Sequence, residues 1–357
     1  MQNPYPQITQ IPQMLRASFA GNSAQLRNQS LNNQCNLRNL RIGVSPVLQE
    51  ALKTEIAFQP ELRPSLQVKT ITRTAREFLT LAKPEITLMV MISAGVSCLM
   101  ASDSLNLAVL THTVLGTGLV AAGAATLNQF IERALDGNMR RTSKRPLPAG
   151  KLTAQAALAF GISLSAAGTI YLIQFLNTLT ALLGLFTLIS YLFVYTPLKR
   201  KTRLCTLIGA FPGAAPILMG WAGANNNLSP EAWVLYAILF LWQFPHFYAI
   251  GWLYREDYAR AGMLMLPSLD ENDERTVFEH ILVSTQFLFV ASLLPVFIAH
   301  AGKLYFASAM ILGISFYYFA YHAAQSRSKA AAKRLLHASV IYLPLLYLFM
   351  ILDRVNR

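Results

Sequence analysis

The chain has 357 residues, of which 54% are hydrophobic and 13% are charged, and its formal net charge is +13. A water-soluble domain carries roughly 25% charged residues, so this composition excludes an ordinary soluble fold. In a soluble protein the positive charge would favour nucleic-acid binding. Here it lies in short segments between apolar runs, which is typical of orientation in a membrane.

The first 66 residues differ in composition from the rest of the chain. They are rich in Gln, Asn and Pro and contain no acidic residue before Glu50. Low hydrophobicity predicts a disordered extension over residues 1–66. Their Arg content faintly resembles a transit peptide, but serines are few and no amphipathic helix is evident. Residues 67–85 carry basic residues among apolar ones and are predicted to form an amphipathic juxtamembrane helix on an anionic membrane surface.

Apolar runs of about 20 residues, long enough to cross ~30 Å of hydrocarbon as helices, follow from Ile86 onward. They predict nine spans, at residues 86–102, 106–131, 153–175, 177–195, 204–223, 231–253, 279–300, 304–322 and 334–352. The predicted fold class is therefore an all-α integral membrane protein with a nine-helix bundle over residues 86–353. We expect Pro197 to end the fourth span. Pro212, Gly213 and Pro216 should interrupt the fifth, which would then line a cavity.

The charges of the connecting segments predict the orientation. With alternate connections assigned to opposite sides, 27 of the 30 Lys and Arg residues lie on the side of the N-terminus. Without the N-terminal region 17 remain, against Lys303, Arg354 and Arg357 on the other side. The positive-inside rule then places the N-terminus and the polar loops at the cytoplasmic face and the C-terminus outside.

Three polar side chains at the end of the second span are candidate metal ligands. Asn128, Glu132 and Asp136 follow one another at intervals of four residues, so they lie on one face of a helix. Oxygen-bearing side chains on one face suit Mg²⁺. The basic residues that follow suit a polyanion, and they are Arg140, Arg141, Lys144 and Arg145. A helix end meeting water would explain these basic residues but not the polar face.

A second polar group closes the sixth span. His246 and Asp257 lie eleven residues apart, which is three helical turns and therefore the same face. A histidine inside an apolar span is costly unless it lines a cavity, and the alternative is a core histidine bonded to a neighbouring backbone carbonyl. Glu256 and Asp257 are either site carboxylates or a solvated loop paired with Arg255 and Arg260.

A third segment, residues 195–202, adds Lys199 and Arg200 on the same side, as phosphate ligands or as an ordinary positive-inside loop. Two carboxylate-bearing helix ends and cationic loops at one membrane surface predict a diphosphate–Mg²⁺ site. The apolar bundle beneath it would hold a hydrocarbon tail. This arrangement favours ionisation of an allylic diphosphate in a dry pocket.

Taken together, these segments resemble the UbiA superfamily of intramembrane prenyltransferases, and within it the branch that farnesylates haem. The resemblance covers roughly residues 75–352. It rests on Lys83-Pro84-Glu85, Asn128 to Pro146, Tyr195-Thr196 with Leu198-Lys199-Arg200, Trp242 to Phe247, and Glu256-Asp257-Tyr258. Gln129 and Glu132 stand where the wider superfamily usually has aspartate. Gln129 removes the negative charge of a metal ligand at its position, whereas Glu132 keeps the carboxylate and extends its reach by one methylene group.

The resemblance implies a function beyond what the residue spacing shows. It implies two motifs that bind Mg²⁺ and farnesyl diphosphate, and transfer of the farnesyl group to a vinyl group of haem b. Addition of water would then give haem O for terminal oxidase assembly. A haem A synthase or oxidase assembly factors would be the partners, together with the lipid bilayer and not nucleic acid.

The resemblance also implies roles for individual residues. The implied catalytic residues are Asn128, Glu132, Asp136 and Asp257, and these four with Glu256 are the implied metal ligands. The implied substrate-binding residues are Arg140, Arg141, Lys144, Arg145, Lys199, Arg200, His246, Arg255 and Tyr258.

Two alternatives remain open at this point. A prenyltransferase of the same superfamily could act on a quinone precursor or another aromatic acceptor. A transporter is less favoured, because the polar groups gather at one face instead of the bilayer midplane and no repeat is evident. The expected location is the bacterial cytoplasmic membrane, with the mitochondrial inner membrane as the alternative.

Overall fold

The computed structural model describes residues 74–102, 104, 106–264, 271–299 and 301–355. The predictions for residues 1–66, and for the first part of the juxtamembrane segment, lie outside this range. Within it the chain is helical and contains no strand. Two short helices, residues 74–81 and Arg255–Arg260, accompany the long ones.

In the described residues, nine helices are long and apolar enough to cross a membrane, which confirms the predicted bundle. We number them in chain order: α1 Pro84–Ala101, α2 Leu107–Asn138, α3 Ala154–Phe175, α4 Thr178–Leu198, α5 Cys205–Asn225, α6 Pro230–Leu253, α7 Glu271–Ile298, α8 Lys303–Ser326 and α9 Lys329–Val355. The largest differences in bounds are at α7, which begins at Glu271 instead of residue 279, and at α2, which continues past the predicted end at residue 131 and holds Glu132 and Asp136 in regular helix.

Local sequence signals begin several of these helices. The Asn106 side chain accepts hydrogen bonds from the first N–H groups of α2, and Thr153 and Asn177 do the same for α3 and α4. Proline occupies the first turn of α1 and of α6, where its missing N–H would have had no partner. The positions at which these helices begin are therefore set by local capping residues.

The fourth helix does not end before Pro197, and the prediction that it would is wrong. Ser190–Tyr195 form a π-helical turn in which the N–H of Thr196 bonds to the carbonyl of Tyr191, and the helix continues to Leu198. The wider turn lets the chain pass a residue that has no N–H to donate.

The predicted interruption of the fifth helix is also wrong, because α5 is continuous with Pro212 and Pro216 inside it. It lies at the centre of the bundle against α1, α4 and α6, and most of its residues are buried. Neighbouring helices donate to its carbonyls, with Gln243 Nε2 2.9 Å from the oxygen of Ala210 and Ser97 Oγ 2.6 Å from that of Ile217. Enclosure by protein tolerates proline at this depth without a break in the helix.

Small residues set the closest helix crossings. A Cβ atom at Gly220 of α5 would collide with the carbonyl oxygen of Ala94 on α1. The backbones of these two helices are therefore in direct contact, as is usual where helices associate in lipid.

The polar helix ends meet at one end of the bundle. Lys83 before α1 contacts Asn128 near the end of α2, and Lys199 after α4 contacts Glu132 of α2. Lys329 at the start of α9 contacts Glu256, which follows α6. The cytoplasmic orientation of this end stays a prediction.

Candidate active site

The carboxylate-bearing face of α2 lines a cavity of about 140 Å³ at this end. Asn128, Glu132 and Asp136 are 1%, 5% and 1% exposed, so all three polar side chains are withdrawn from solvent. We call this space the polar cavity. It is lined by Lys83, Asn128, Glu132, Asp136, Met139, Arg141, Thr142, Arg145, Tyr191, Tyr195, Lys199, Tyr258 and Met263.

Each carboxylate of the polar cavity is bound by a cation from another part of the chain or from the loop after α2. Glu132 Oε1 lies 2.8 Å from Lys199 Nζ, at the end of α4. Both carboxylate oxygens of Asp136 lie 2.8 Å from Arg145 Nη1. Buried charges need such partners, because burial without them is costly.

Asn128 lies between two further elements. Its amide nitrogen donates to the Thr196 hydroxyl at 3.1 Å, and its amide oxygen lies 3.5 Å from Lys83 Nζ. The π-helical turn that precedes Thr196 also brings Tyr191 and Tyr195 onto the wall of the cavity. Two aromatic rings therefore border the space between the cations and the α2 face.

Lys83 is a site residue that the sequence analysis did not propose. It precedes α1 with φ 47°, in the left-handed region that a non-glycine residue rarely adopts. Such backbone conformations persist where the surroundings hold them in place, often at functional sites. The only sequence signal was its position in the Lys83-Pro84-Glu85 segment, where it appeared as one more basic residue before a span.

The electrostatics of the cavity differ for its two lysines. Burial, with the neighbouring charges of Arg145 and Lys199, lowers the pKa of Lys83 to about 7. Burial also opposes the charged form of Lys199, but Tyr195 and the Glu132 carboxylate outweigh it and raise its pKa above the usual value. Lys199 is therefore a permanent cation, whereas Lys83 titrates near neutral pH.

The second predicted carboxylate pair lies in a separate pocket. This second pocket has a volume of about 410 Å³ and is lined by Arg140, Arg141, Leu253, Tyr254, Glu256, Asp257 and Lys329. Arg141 lines both spaces, and its backbone N–H donates to Asp257 Oδ2 at 3.3 Å. Asp257 also pairs with Arg260. The structure thus brings Asp257 beside the loop after α2 but not into the polar cavity.

The other predicted substrate-binding residues are dispersed. Arg145, Lys199 and Tyr258 line the polar cavity with Arg141, whereas Arg140 lines only the second pocket. Lys144 and Arg200 are exposed. Arg255 bonds the Trp252 carbonyl and lies over its ring.

His246 lies within α6, seven residues before its end at Leu253. Its Nδ1 is 2.8 Å from the Ser339 hydroxyl of α9, and its ring stacks on Trp242. It lines neither of the two pockets described above. These contacts fit a structural role between α6 and α9, and its role in substrate binding stays a prediction.

The donor set of the polar cavity fits a divalent cation. Among the described residues, no group of three or more His, Cys, Asp or Glu side chains is placed to hold a metal ion. Asn128, Glu132 and Asp136 nevertheless offer one amide and two carboxylate groups to the same space. Mg²⁺ is commonly held by one or two carboxylates, with phosphate oxygens and waters at the remaining positions.

A bundle of apolar helices with a buried, ion-lined cavity at one end defines a polytopic membrane protein with an intramembrane polar site. Residues 88–345 match the model of the UbiA prenyltransferase family, so the chain belongs to this family and is a prenyltransferase. A protein of Solibacter usitatus named protoheme IX farnesyltransferase is 46% identical over 289 residues, covering 78% of this chain and 99% of that protein. The resemblance predicted from the sequence is confirmed.

Solved structures show the same fold. A UbiA homologue from Aeropyrum pernix superimposes with a TM-score of 0.62 at 19% identity, covering 75% of this chain and 98% of its own. A UbiA homologue from Archaeoglobus fulgidus, bound to GPP and Mg²⁺, gives a TM-score of 0.54 at 14% identity, covering 77% and 99%. At these identities the likeness shows the architecture alone.

Proposed function

We propose that this protein transfers the farnesyl group of farnesyl diphosphate to a vinyl group of haem b, with addition of water, to give haem O. The likeness to the Solibacter usitatus protoheme IX farnesyltransferase supports this choice of donor and acceptor, since it extends over nearly the whole of that protein. The observation that carries the proposal is the polar cavity, in which Asn128, Glu132 and Asp136 meet cations from other parts of the chain.

The cations of the polar cavity would hold the diphosphate. Lys83, Arg145 and Lys199 converge on one space from the start of α1, the loop after α2 and the end of α4. Arginine binds phosphate oxygens bidentately, and lysine supplies a compact charge. Because these groups are already in place, they would stabilise the negative charge that develops on the leaving diphosphate without reorganisation.

Asn128, Glu132 and Asp136 would hold Mg²⁺ in the polar cavity, because their amide and carboxylate oxygens suit this ion, and the family resemblance adds Glu256 and Asp257 as further ligands. The Archaeoglobus fulgidus homologue is bound to Mg²⁺ and to the prenyl diphosphate GPP, which supports this assignment. When bound, the metal would neutralise diphosphate charge and so assist departure of the leaving group. Lys199 and Arg145 pair with Glu132 and Asp136 in this structure, so the same cations lie beside the proposed metal ligands and beside the proposed diphosphate site.

The aromatic wall would protect the allylic cation. Tyr191 and Tyr195 border the cavity, and an aromatic face attracts a cation within about 6 Å. Their rings would also exclude water from the space beneath the diphosphate, where water would otherwise attack the allylic cation and consume it. The farnesyl chain would extend from here among the apolar helices.

The proposed location is the bacterial cytoplasmic membrane, with the polar cavity at the cytoplasmic face. The distribution of Lys and Arg supports this orientation. Partners in haem A formation or oxidase assembly are part of the same proposal, because haem O would be passed on to them.

Mass spectrometry of haems tests the proposal. Membranes containing the full chain are supplied with haem b and farnesyl diphosphate, and the haems are extracted. We expect a haem heavier by one farnesyl group and one hydroxyl group, formed with Mg²⁺ and lost when the metal is chelated. Asp136→Asn should abolish it, whereas Lys201→Gln, at an exposed lysine outside the polar cavity, should leave it unchanged.

Two results would contradict the proposal. If the folded parent protein yielded no farnesylated haem but prenylated a quinone precursor in the same assay, the acceptor would be a quinone precursor and not haem b. Activity that persists in Asp136→Asn at equal protein levels would remove the α2 face from the reaction.

A further inference from the structure

The second pocket lies beside the polar cavity, and two of its basic residues, Arg140 and Lys329, have no role in binding the diphosphate or the metal as proposed above. It is the larger space, about 410 Å³ against about 140 Å³. It opens at the same end of the bundle, where the loop after α2, the end of α6 and the start of α9 meet. Arg141 forms part of both walls, so the two spaces are direct neighbours.

Positive charge predominates in the second pocket. Arg140, Arg141 and Lys329 face Glu256 and Asp257. The Asp257 carboxylate is already satisfied by the backbone N–H of Arg141 and by Arg260, which lies outside the pocket lining. The remaining carboxylate, that of Glu256, pairs with Lys329 at 3.6 Å on the surface, where such a contact is weak. The two arginines therefore keep charge for an anion from outside the chain.

Arg141 is held in place by aromatic rings instead of a carboxylate. Its Nη2 donates to the Tyr258 hydroxyl at 2.9 Å, and its guanidinium carbon lies 4.5 Å from the centre of the Tyr254 ring. A guanidinium fixed in this way is preorganised and retains free N–H donors for an anion. Leu253 and Tyr254, at the C-terminal end of α6, also give the pocket an apolar wall.

We propose that the second pocket binds the carboxylate groups of an amphipathic aromatic acceptor, with Arg140 and Lys329 as ligands and Arg141 between acceptor and diphosphate. This inference rests on the proposed function, in which the acceptor is haem b. Haem b carries two propionates on adjacent positions of one edge and vinyl groups elsewhere on the ring. Anchoring the propionate edge here would leave the rest of the ring facing the neighbouring polar cavity.

Haem binding in the absence of farnesyl diphosphate tests this assignment. Purified full-length protein is titrated with haem b and with its dimethyl ester, in which the propionate charges are removed. Lys329→Glu should weaken binding of haem b roughly tenfold, as reversal of one charge contact would, and leave the ester unchanged. Arg140→Gln should also weaken haem b selectively.

Lys333→Glu is the matched control. Lys333 is exposed on the same helix, one turn further along and outside the pocket, so it carries the same charge change without the contact. Lys329 itself is 66% exposed at the start of α9, where a carboxylate suits the helix N-terminus, so the variant should fold. The affinity for farnesyl diphosphate should be unchanged in both variants.

Several results would overturn the inference. If Lys329→Glu weakened the binding of haem b and of its ester equally, or weakened neither, the pocket would not bind the propionate carboxylates. Loss of phosphatidylglycerol binding without loss of haem binding would assign it to a lipid headgroup. Farnesyl transfer is measured separately: a parent protein that binds haem b in a charge-dependent way but makes no farnesylated haem would refute the proposed function and leave this inference standing.

Discussion

Glu132 of α2 and Lys199 at the end of α4 are 67 residues apart in the chain, and their Oε1 and Nζ atoms are 2.8 Å apart in the structure. Both side chains are almost fully buried. This pair joins the helix that carries the predicted metal ligands to the helix that carries the aromatic wall. Each partner also supplies the counter-charge of the other, without which a buried charge would be costly.

Removal of one partner should therefore destabilise the protein. Lys199→Met leaves the Glu132 carboxylate buried without its counter-charge, which costs about 3 kcal/mol or more. Thermal unfolding of the detergent-purified protein measures the loss. The double variant Glu132→Gln/Lys199→Met should recover part of it, because no buried charge is stranded. A double variant less stable than Lys199→Met would argue against coupling between the two residues.

The lowered pKa of Lys83 predicts a pH-dependent stability in the metal-free protein. Its pKa is about 7 in the folded state and near 10.5 in the unfolded state, so between these values the unfolded chain binds more protons. Stability should then rise with pH across this window, by at most about 1.4 kcal/mol per pH unit. Lys83→Met should lack this contribution.

Melting temperatures of the parent and of Lys83→Met between pH 7 and 9 are the relevant comparison. The variant should be the more stable protein near pH 7, and its advantage should shrink as the pH rises. Lys201→Met, at an exposed lysine, serves as control and should run parallel to the parent. If the curve for Lys83→Met were also parallel, Lys83 would titrate at its ordinary value.

His246 should act on stability more than on diphosphate binding. Its hydrogen bond to Ser339 links α6 to α9, and loss of one such bond costs about 1 kcal/mol. Ser339→Ala should lower the melting temperature and leave the KM for farnesyl diphosphate unchanged, and His246→Ala should do the same with a larger loss of packing. A rise in KM with no loss of stability would instead place His246 in the substrate site.

The crossing of α1 and α5 should not tolerate a methyl group. In Gly220→Ala the new Cβ would collide with the carbonyl oxygen of Ala94, so the helices must separate, at a cost of about 1–3 kcal/mol or more. Gly137→Ala is the matched control, since nothing lies within 4 Å of its Cβ position on α2. That change should stabilise the helix by about 0.5–1 kcal/mol. Equal behaviour of the two variants in thermal unfolding would contradict the crossing geometry.

Much of the fold was predictable because hydrocarbon thickness imposes a length on every apolar run. The periodicity of Asn128, Glu132 and Asp136 likewise placed them on one helix face, since that relationship is local. The effect of proline was not predictable in the same way. Whether Pro197 or Pro212 breaks a helix depends on the turn geometry and on donors from other helices, and the sequence does not show which helices are neighbours.

The same limit explains what was missed in the site. Lys83 looked like an ordinary basic residue before a membrane span, because its burial arises from contacts with residues 45 or more positions away. Asp257 lines the neighbouring pocket with Arg141 between it and the polar cavity, a separation that the sequence does not show, and its role as a metal ligand stays a prediction. Spacing along a helix predicts a common face, whereas the distance between two helix ends is set by packing.

The residues that line the polar cavity all lie between Lys83 and Met263, ahead of α7. A ribosome synthesises the chain from its N-terminus, so every charged group of the cavity is made before the last three helices emerge. The ion pairs of Glu132 and Asp136 can then form among the first helices to enter the membrane. The last three helices are then added to a bundle whose polar cavity is already neutralised, and only the second pocket, through Lys329, must wait for the final helix.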